Sequence, residues 1–406
     1  MNPNIAVAVP LPAGTATQGR VVIAALAVIG LLGIAIEHVA STRVTLLFAT
    51  GLGLGVVLYQ SLFGFTSAFR VLLTQRRSAG LRAQMVMLAI ACALFFPALS
   101  TGSLLGQPVT GFVSPAGVSV ALGAFLFGIG MQMGGGCASG TLFSVGGGST
   151  RMLVTLLFFV IGSVIGITHV AWWQTWPAIA PVSLITVLGW PGALAAHIGL
   201  FLVAYLIVVR MEKSRHGDIE PIMTIQNGSW RQGPWPLIAG AIGLAALNFG
   251  TLWLAGRPWG ITSAFGLWGG MALQALGVPV QSWSGYGDAD MQGALGRSVL
   301  ADVTSVMDFG IMLGAMVCAG IAGKFKPQWR ITARHLCASI LGGLLLGYGA
   351  RLAYGCNIGA FFSGIASGSL HGWLWIVFAL PGNWVGIRLK PALGLSAQPY
   401  RDCDHA

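Results

Sequence analysis

The stretch Gly134-Gly135-Gly136-Cys137-Ala138-Ser139-Gly140-Thr141-Leu142-Phe143-Ser144 decides how this chain is read, because the chain writes it twice. Its second copy is Ala353-Tyr354-Gly355-Cys356-Asn357-Ile358-Gly359-Ala360-Phe361-Phe362-Ser363. Gly128, Gly130, Gly136, Cys137, Gly140, Phe143 and Ser144 each recur 219 positions later, the offset that separates Cys137 from Cys356. Each copy follows an apolar run, and its glycines disfavour a long regular helix through the segment. Glycine admits a ligand close to the backbone, and the cysteine sets one soft, polarisable sulfur beside it. A shorter pair supports the duplication: Gly64-Phe65-Thr66-Ser67-Ala68-Phe69 returns as Gly260-Ile261-Thr262-Ser263-Ala264-Phe265. Four segments thus share one plan, an apolar helix followed by a Gly/Ser/Thr loop, and two of them carry Cys.

The 406 residues are 55% hydrophobic and 8% charged, with a mean hydropathy of +0.81. Soluble domains carry about 25% charged residues, so this composition excludes an ordinary soluble globule. Apolar runs long enough to cross a bilayer as helices are expected at 20–40, 44–60, 83–100, 118–134, 151–171, 184–209, 235–256, 300–322, 335–354 and 371–389. No alternating strand pattern points to a membrane barrel. The expected class is all-α, a polytopic membrane protein. Its 60 glycines suit closely packed membrane helices. The formal charge of +11 reads first as Lys and Arg held in cytoplasmic loops, and second as an attraction for anions.

Basic residues set the orientation. Arg76, Arg77 and Arg82 mark one cytoplasmic loop; Arg210, Lys213, Arg215 and Arg231 mark the central one. Lys324, Lys326, Arg330 and Arg334 mark a third, and Arg388, Lys390 and Arg401 follow the last span. Segments 101–117 and 172–183 lack Lys and Arg, and Trp172, Trp173 and Trp176 resemble an interfacial belt. Both termini are then cytoplasmic. Segments 61–73 and 135–150 enter from the inside, 257–276 and 355–370 from the outside. This divides the chain into a tail and extra span (1–43), a first repeat (44–171), a linking span and cytoplasmic loop (172–234), a second, inverted repeat (235–390) and a cytoplasmic tail (391–406). Four re-entrant segments of broken helix meet around an hourglass-shaped path, where irregular backbone is tolerated because it lines a cavity.

Cys137 and Cys356 are the leading candidates for binding a substrate, with Gly136, Gly140, Gly355 and Gly359 giving close access to them. Thr66, Ser67, Thr262, Ser263, Ser139, Thr141 and Asn357 offer neutral donors; the plainer alternative is that they satisfy the freed backbone of broken helices. No neighbouring His or Lys activates either thiol, so the cysteines read as hydrogen-bonding stations and the chain as no enzyme. Cys92, Cys318 and Cys337 fall in apolar runs and read as small hydrophobes, while Cys403 sits in a polar tail. Asp302 and Asp308 read as interfacial, Glu37 and His38 likewise, and His371 and Arg151 as helix-end or surface residues. Neither a metal-ligand spacing, a P-loop, a dinucleotide fingerprint nor a nucleic-acid motif is present, so no metal, cofactor or nucleic acid is expected.

Through Gly134 to Ser144, Gly355 to Ser363 and Phe63 to Arg70, the sequence resembles the YeeE/YedE family of bacterial inner-membrane proteins, over about 44 to 390. The resemblance implies an hourglass of inverted repeats. It also implies uptake of thiosulfate past cysteines that hydrogen-bond its terminal sulfur, and a small cytoplasmic sulfurtransferase-like partner of the TusA type. Cys137 and Cys356 fall on two of the family's cysteine positions. The family's first loop commonly reads Phe-Cys-Phe, where this chain has Phe63-Gly64-Phe65; a cysteine restored at 64 is expected to fit. The reading is a permease for a small sulfur-containing anion, thiosulfate first, in the inner membrane. A carrier of a selenium or other sulfur compound, a membrane persulfide-transfer protein and a structural partner of a sulfurtransferase are the alternatives.

Overall fold

In the computed structural model, which describes residues 16–224, 230–287 and 289–395, helices dominate. Among the described residues, nine helical stretches are long and apolar enough to cross a membrane. The first is α1 (Gly19–Val39). The second, Thr42–Gln75, is two helices, α2 (Thr42–Ser61) and α3 (Phe65–Gln75), joined where Leu62 turns left-handed at φ 47°. Next come α4 (Ala79–Thr101) and Val118–Gly146, the latter divided into α5 (Val118–Gly134) and α6 (Ala138–Gly146). Gly135 makes that division at φ 92°, a conformation glycine adopts without the Cβ clash other residues suffer. Then follow α7 (Thr150–Trp173), α8 (Leu184–His216) and α9 (Leu237–Ala255). The short α10 (Thr262–Ala275) and α11 (Ala289–Leu295) precede α12 (Val303–Ile321) and α13 (Ala333–Leu352). A wider π-helical stretch, Asn357–Ser363, runs into one turn, α14 (Gly364–Ala366), and α15 (Leu370–Leu389) closes the set.

The apolar runs expected from the sequence are all helical, but α15 is not among the nine. His371, Asn383 and Arg388 dilute its apolar run. Among the described residues, sheet is confined to two pairs of two-residue strands, Ser103–Leu104 with Gln107–Pro108 and Ala116–Gly117 with Ala178–Ile179, in the connections.

Packing follows an exchange rule. Helix α7 lies against α13, as α15 lies against α5; α2 lies against α12, as α9 lies against α4. In the same sense α10 meets α7 where α3 meets α15, and α6 meets α12 where α14 meets α4. Two contacts map onto themselves, α5 with α13 and α2 with α9. Glycines make these approaches possible. A Cβ on Gly55 of α2 would stand 2.2 Å from the Ile311 carbonyl of α12, and one on Gly314 would stand 2.2 Å from the Leu52 carbonyl of α2. Gly347 presses on the Phe159 carbonyl of α7, and Gly382 of α15 on that of Phe125. Small residues serve this purpose between membrane helices, where close van der Waals packing drives association.

One long aromatic path ties the broken segments together. Phe265 at the start of α10 meets Phe159 edge-on at 4.8 Å, and Phe159 meets Phe127 at 6.1 Å. Phe127 packs on Trp375, Trp375 stacks on Phe361, and Phe361 meets Phe65 and Phe69 of α3 edge-on.

Candidate functional site

Both cysteines stand where a helix is interrupted and restarts. Cys137 is the N-cap of α6, and Cys356 is the N-cap of the π-helical stretch. Orphan N–H groups at a helix start need acceptors, and here sulfur supplies one. The Cys137 sulfur accepts from the Gly140 N–H at 3.4 Å and lies 3.3 Å from the Ser139 hydroxyl. The Cys356 sulfur accepts from the Ile358 N–H at 3.4 Å. A thiol that accepts an N–H on a lone pair keeps its own S–H as a donor. Both side chains are buried, and the two short helices they cap touch one another.

The candidate donors divide into two groups. Thr141 spends its hydroxyl on the Cys137 carbonyl at 2.8 Å, and Ser67 spends its own on the Gly64 carbonyl at 2.9 Å. Ser263 donates to the Thr304 hydroxyl at 3.1 Å. Thr141 and Ser67 thus bond carbonyls of their own segments, and Ser263 a side chain of α12. Thr66 and Asn357 differ. Thr66 faces Cys137 without closing a full hydrogen bond, and neither atom of the buried Asn357 amide has a partner. Thr262 is buried, with its carbonyl accepting from Arg351.

Glycine geometry differs between the copies. Gly355 has φ 147°, and a Cβ there would meet the Ala360 nitrogen at 2.7 Å. At Gly136 the nearest atom to a Cβ is the Thr141 nitrogen at 3.2 Å. A Cβ on Gly140 would touch only the Cys137 sulfur, at 3.4 Å, whereas one on Gly359 would meet nothing within 4 Å. A cysteine at 64 needs one rearrangement. Gly64 has an ordinary φ of −102°, but a Cβ there lies 2.4 Å from the Ser67 Oγ, so Ser67 would have to turn and release the Gly64 carbonyl.

Two cavities lie at opposite ends of α9. One, of about 560 Å³, is lined by Gly64, Ser67, Gln84, Arg77, Glu220 and Trp235, at the Leu237 end. Burial raises the Glu220 carboxyl above its ordinary value, and Glu212 adds to this. The rim is fixed by Glu212, which takes Arg77, Arg82 and the Ser78 N–H and hydroxyl together. The other, of about 160 Å³, is lined by Arg257, Arg297, Ser298 and Asp302.

Several residues differ from their sequence reading. Asp302 does cap α12, accepting from Ser305 at 2.7 Å, but Asp308 is not interfacial: it is 0% exposed, and neither carboxyl oxygen has a partner. The segment between α10 and α12 packs through Val280, Tyr286 and Leu295 onto Ile167 and Leu267. His371 is at a helix end yet buried, 2.6 Å from the Ser369 hydroxyl. Arg151 donates to Ser339 and the Met133 carbonyl. Cys92 and Cys318 are buried, but Cys337 is exposed; Arg401 and Cys403 lie outside the described residues. Sequence reading missed Gln132 and Arg351, which hold the Thr66 and Thr262 carbonyls. The signal was there, since they are separated by the same 219 positions as the cysteines.

A thiosulfate transporter, TsuA, of Spirochaeta thermophila is 30% identical over 345 residues, covering 81% of this chain and 94% of that protein. TsuA of Escherichia coli is 23% identical over a similar span, 82% of this chain and 90% of its own length. A probable transporter, YedE, of Escherichia coli is 34% identical over 155 residues, 38% of this chain and 37% of that protein. The family model described as sulphur transport matches residues 60–385, so the chain belongs to the sulphur transport family.

Proposed function

We propose that this chain is a permease for thiosulfate, which passes between Cys137 and Cys356 into the cytoplasm of a bacterium. The observation that carries this reading is the pair of buried thiols, each capping a restarted helix, with Thr66 and the unpartnered Asn357 amide beside them. Thiosulfate has a charged oxygen end and a soft sulfur end. Neutral donors of this kind replace its water without holding it so tightly that it cannot leave. The S–H groups suit the sulfur end, and Thr66 and Asn357 suit the oxygens. The names of the TsuA relatives support the choice of anion.

Residues 44–171 and 235–390 form inverted repeats in this reading, with α3, α6, α10 and the segment after Cys356 as re-entrant elements in an hourglass. The exchange of packing partners supports this arrangement. The protein lies in the inner membrane in this reading, and the Lys and Arg distribution supports placing both termini in the cytoplasm. The larger cavity is then the cytoplasmic mouth, and its neighbours Arg76, Arg77 and Arg215 suit a TusA-like sulfurtransferase that collects the sulfur. Transport is preferred to persulfide transfer because neither sulfur is hydrogen-bonded to a His or Lys among the described residues. Uptake of radiolabelled thiosulfate into proteoliposomes tests the proposal. Saturable uptake that sulfate competes with weakly is expected; a stable sulfur adduct on either cysteine with no uptake would favour persulfide transfer.

A further inference from the structure

Gln132 and Arg351 occupy matching places, one near the end of α5 and the other near the end of α13, 219 positions apart. Each does the same structural work. Gln132 donates its side-chain amide to the Thr66 carbonyl at 3.1 Å, and Arg351 donates its Nη2 to the Thr262 carbonyl. Thr66 and Thr262 are themselves the matching residues of the two shorter loops. The two helix starts are thus held by the same device, with an amide in one half and a guanidinium in the other.

The charge is what differs. Holding a carbonyl requires only a donor, as Gln132 demonstrates. Arg351 has no carboxylate partner among the described residues, and its Nε is buried without a hydrogen bond. The guanidinium lies alongside Gly266, whose Cβ would stand 3.5 Å from Nη1, and within electrostatic reach of Cys356. A half-buried charge without a counter-ion is costly, and such charges are normally paired. An arriving anion supplies the missing partner.

We propose that Arg351 is the charge that draws the anion to the Cys356 station, while the neutral Gln132 leaves the Cys137 station weaker. The inference rests on the thiosulfate reading and deepens it. Capture is strong in the half that contains Arg351 and release is easy in the half that contains Gln132. One asymmetry within an otherwise matched pair thereby sets where the anion dwells.

The test uses the substitution the molecule already contains. R351Q should keep the bond to Thr262, as Gln132 keeps its bond to Thr66, and remove only the charge. Initial uptake of thiosulfate into proteoliposomes is measured for wild type, R351Q and R351K. R351Q is expected to raise KM about tenfold with kcat within about twofold, and R351K to restore KM to within about threefold. An unchanged KM in R351Q, or equal loss in R351Q and R351K, would overturn the proposal, because charge would then be irrelevant. Should R351Q fail to reach the membrane, R351K decides alone: KM within about threefold sustains the proposal, and a rise above about tenfold overturns it. Wild-type uptake with R351Q unaffected would defeat the arginine station and leave the thiosulfate reading intact; no wild-type uptake would defeat both.

Discussion

The two glycine-cysteine segments are alike in sequence and unlike in what surrounds the sulfur. After Cys137 the chain resumes an α-helix, and the sulfur is shared between the Gly140 N–H and the Ser139 hydroxyl. After Cys356 the helix is wider, the sulfur accepts only from backbone N–H groups, with no hydroxyl beside it, and the next residue, Asn357, has an amide without partners. Space follows the same division, since Gly140 is closed by its own cysteine and Gly359 faces no atom within 4 Å. A duplicated motif thus supplies one thiol engaged with its own segment and one left more open. Duplication fixes where the sulfurs stand; their neighbours decide how firmly each could hold an anion.

The largest effects should come from the thiols themselves. Losing a hydrogen bond to a charged group costs about 1.5–3 kcal/mol, or about ten- to a hundredfold. Cys356→Ala should fall at the upper end, because no hydroxyl stands beside that sulfur to take its place. Cys137→Ala should fall at the lower end, because the Ser139 hydroxyl stays beside it. Uptake rates at subsaturating thiosulfate check this, and equal losses would show that the neighbours do not matter.

A smaller difference is expected in stability. Gly355→Ala forces a side chain into φ 147° and against the Ala360 nitrogen, whereas Gly136→Ala meets its nearest atom at 3.2 Å. Strained backbone of this kind costs about 1–3 kcal/mol, so Gly355→Ala should lower the melting temperature in detergent well below that of Gly136→Ala. Similar melting temperatures would mean that the second loop yields easily.

The smallest effect concerns Gly359. Gly359→Ala has room and should leave the melting temperature nearly unchanged, yet slow uptake by about threefold if the space beside it belongs to the path. An unchanged rate would place that space outside the path.

Much of this was legible in the chain. Hydropathy located the helices because a bilayer demands long apolar runs, and the 219-residue offset located both cysteines. What escaped depends on packing in three dimensions. Asp308 stands six residues into α12 and looks interfacial in a linear reading, but it is fully buried among the packed helices. Arg351 escaped because a charged residue matched to Gln132 does not read as a repeat, although both perform the same bond. A cysteine at 64 would require Ser67 to turn from the Gly64 carbonyl, a contact that residue identities do not reveal.

The central claim is that thiosulfate is held between Cys137 and Cys356. Calorimetric titration with thiosulfate tests it most directly on two purified proteins. In the first, Cys92, Cys318, Cys337 and Cys403 are all changed to Ala; in the second, Cys137→Ser and Cys356→Ser are added, which keeps small polar caps and removes the sulfur. The first should bind thiosulfate as the wild type does, and the second about a hundredfold more weakly, with sulfate bound no better by either. Equal thiosulfate affinity in the two proteins would contradict the account.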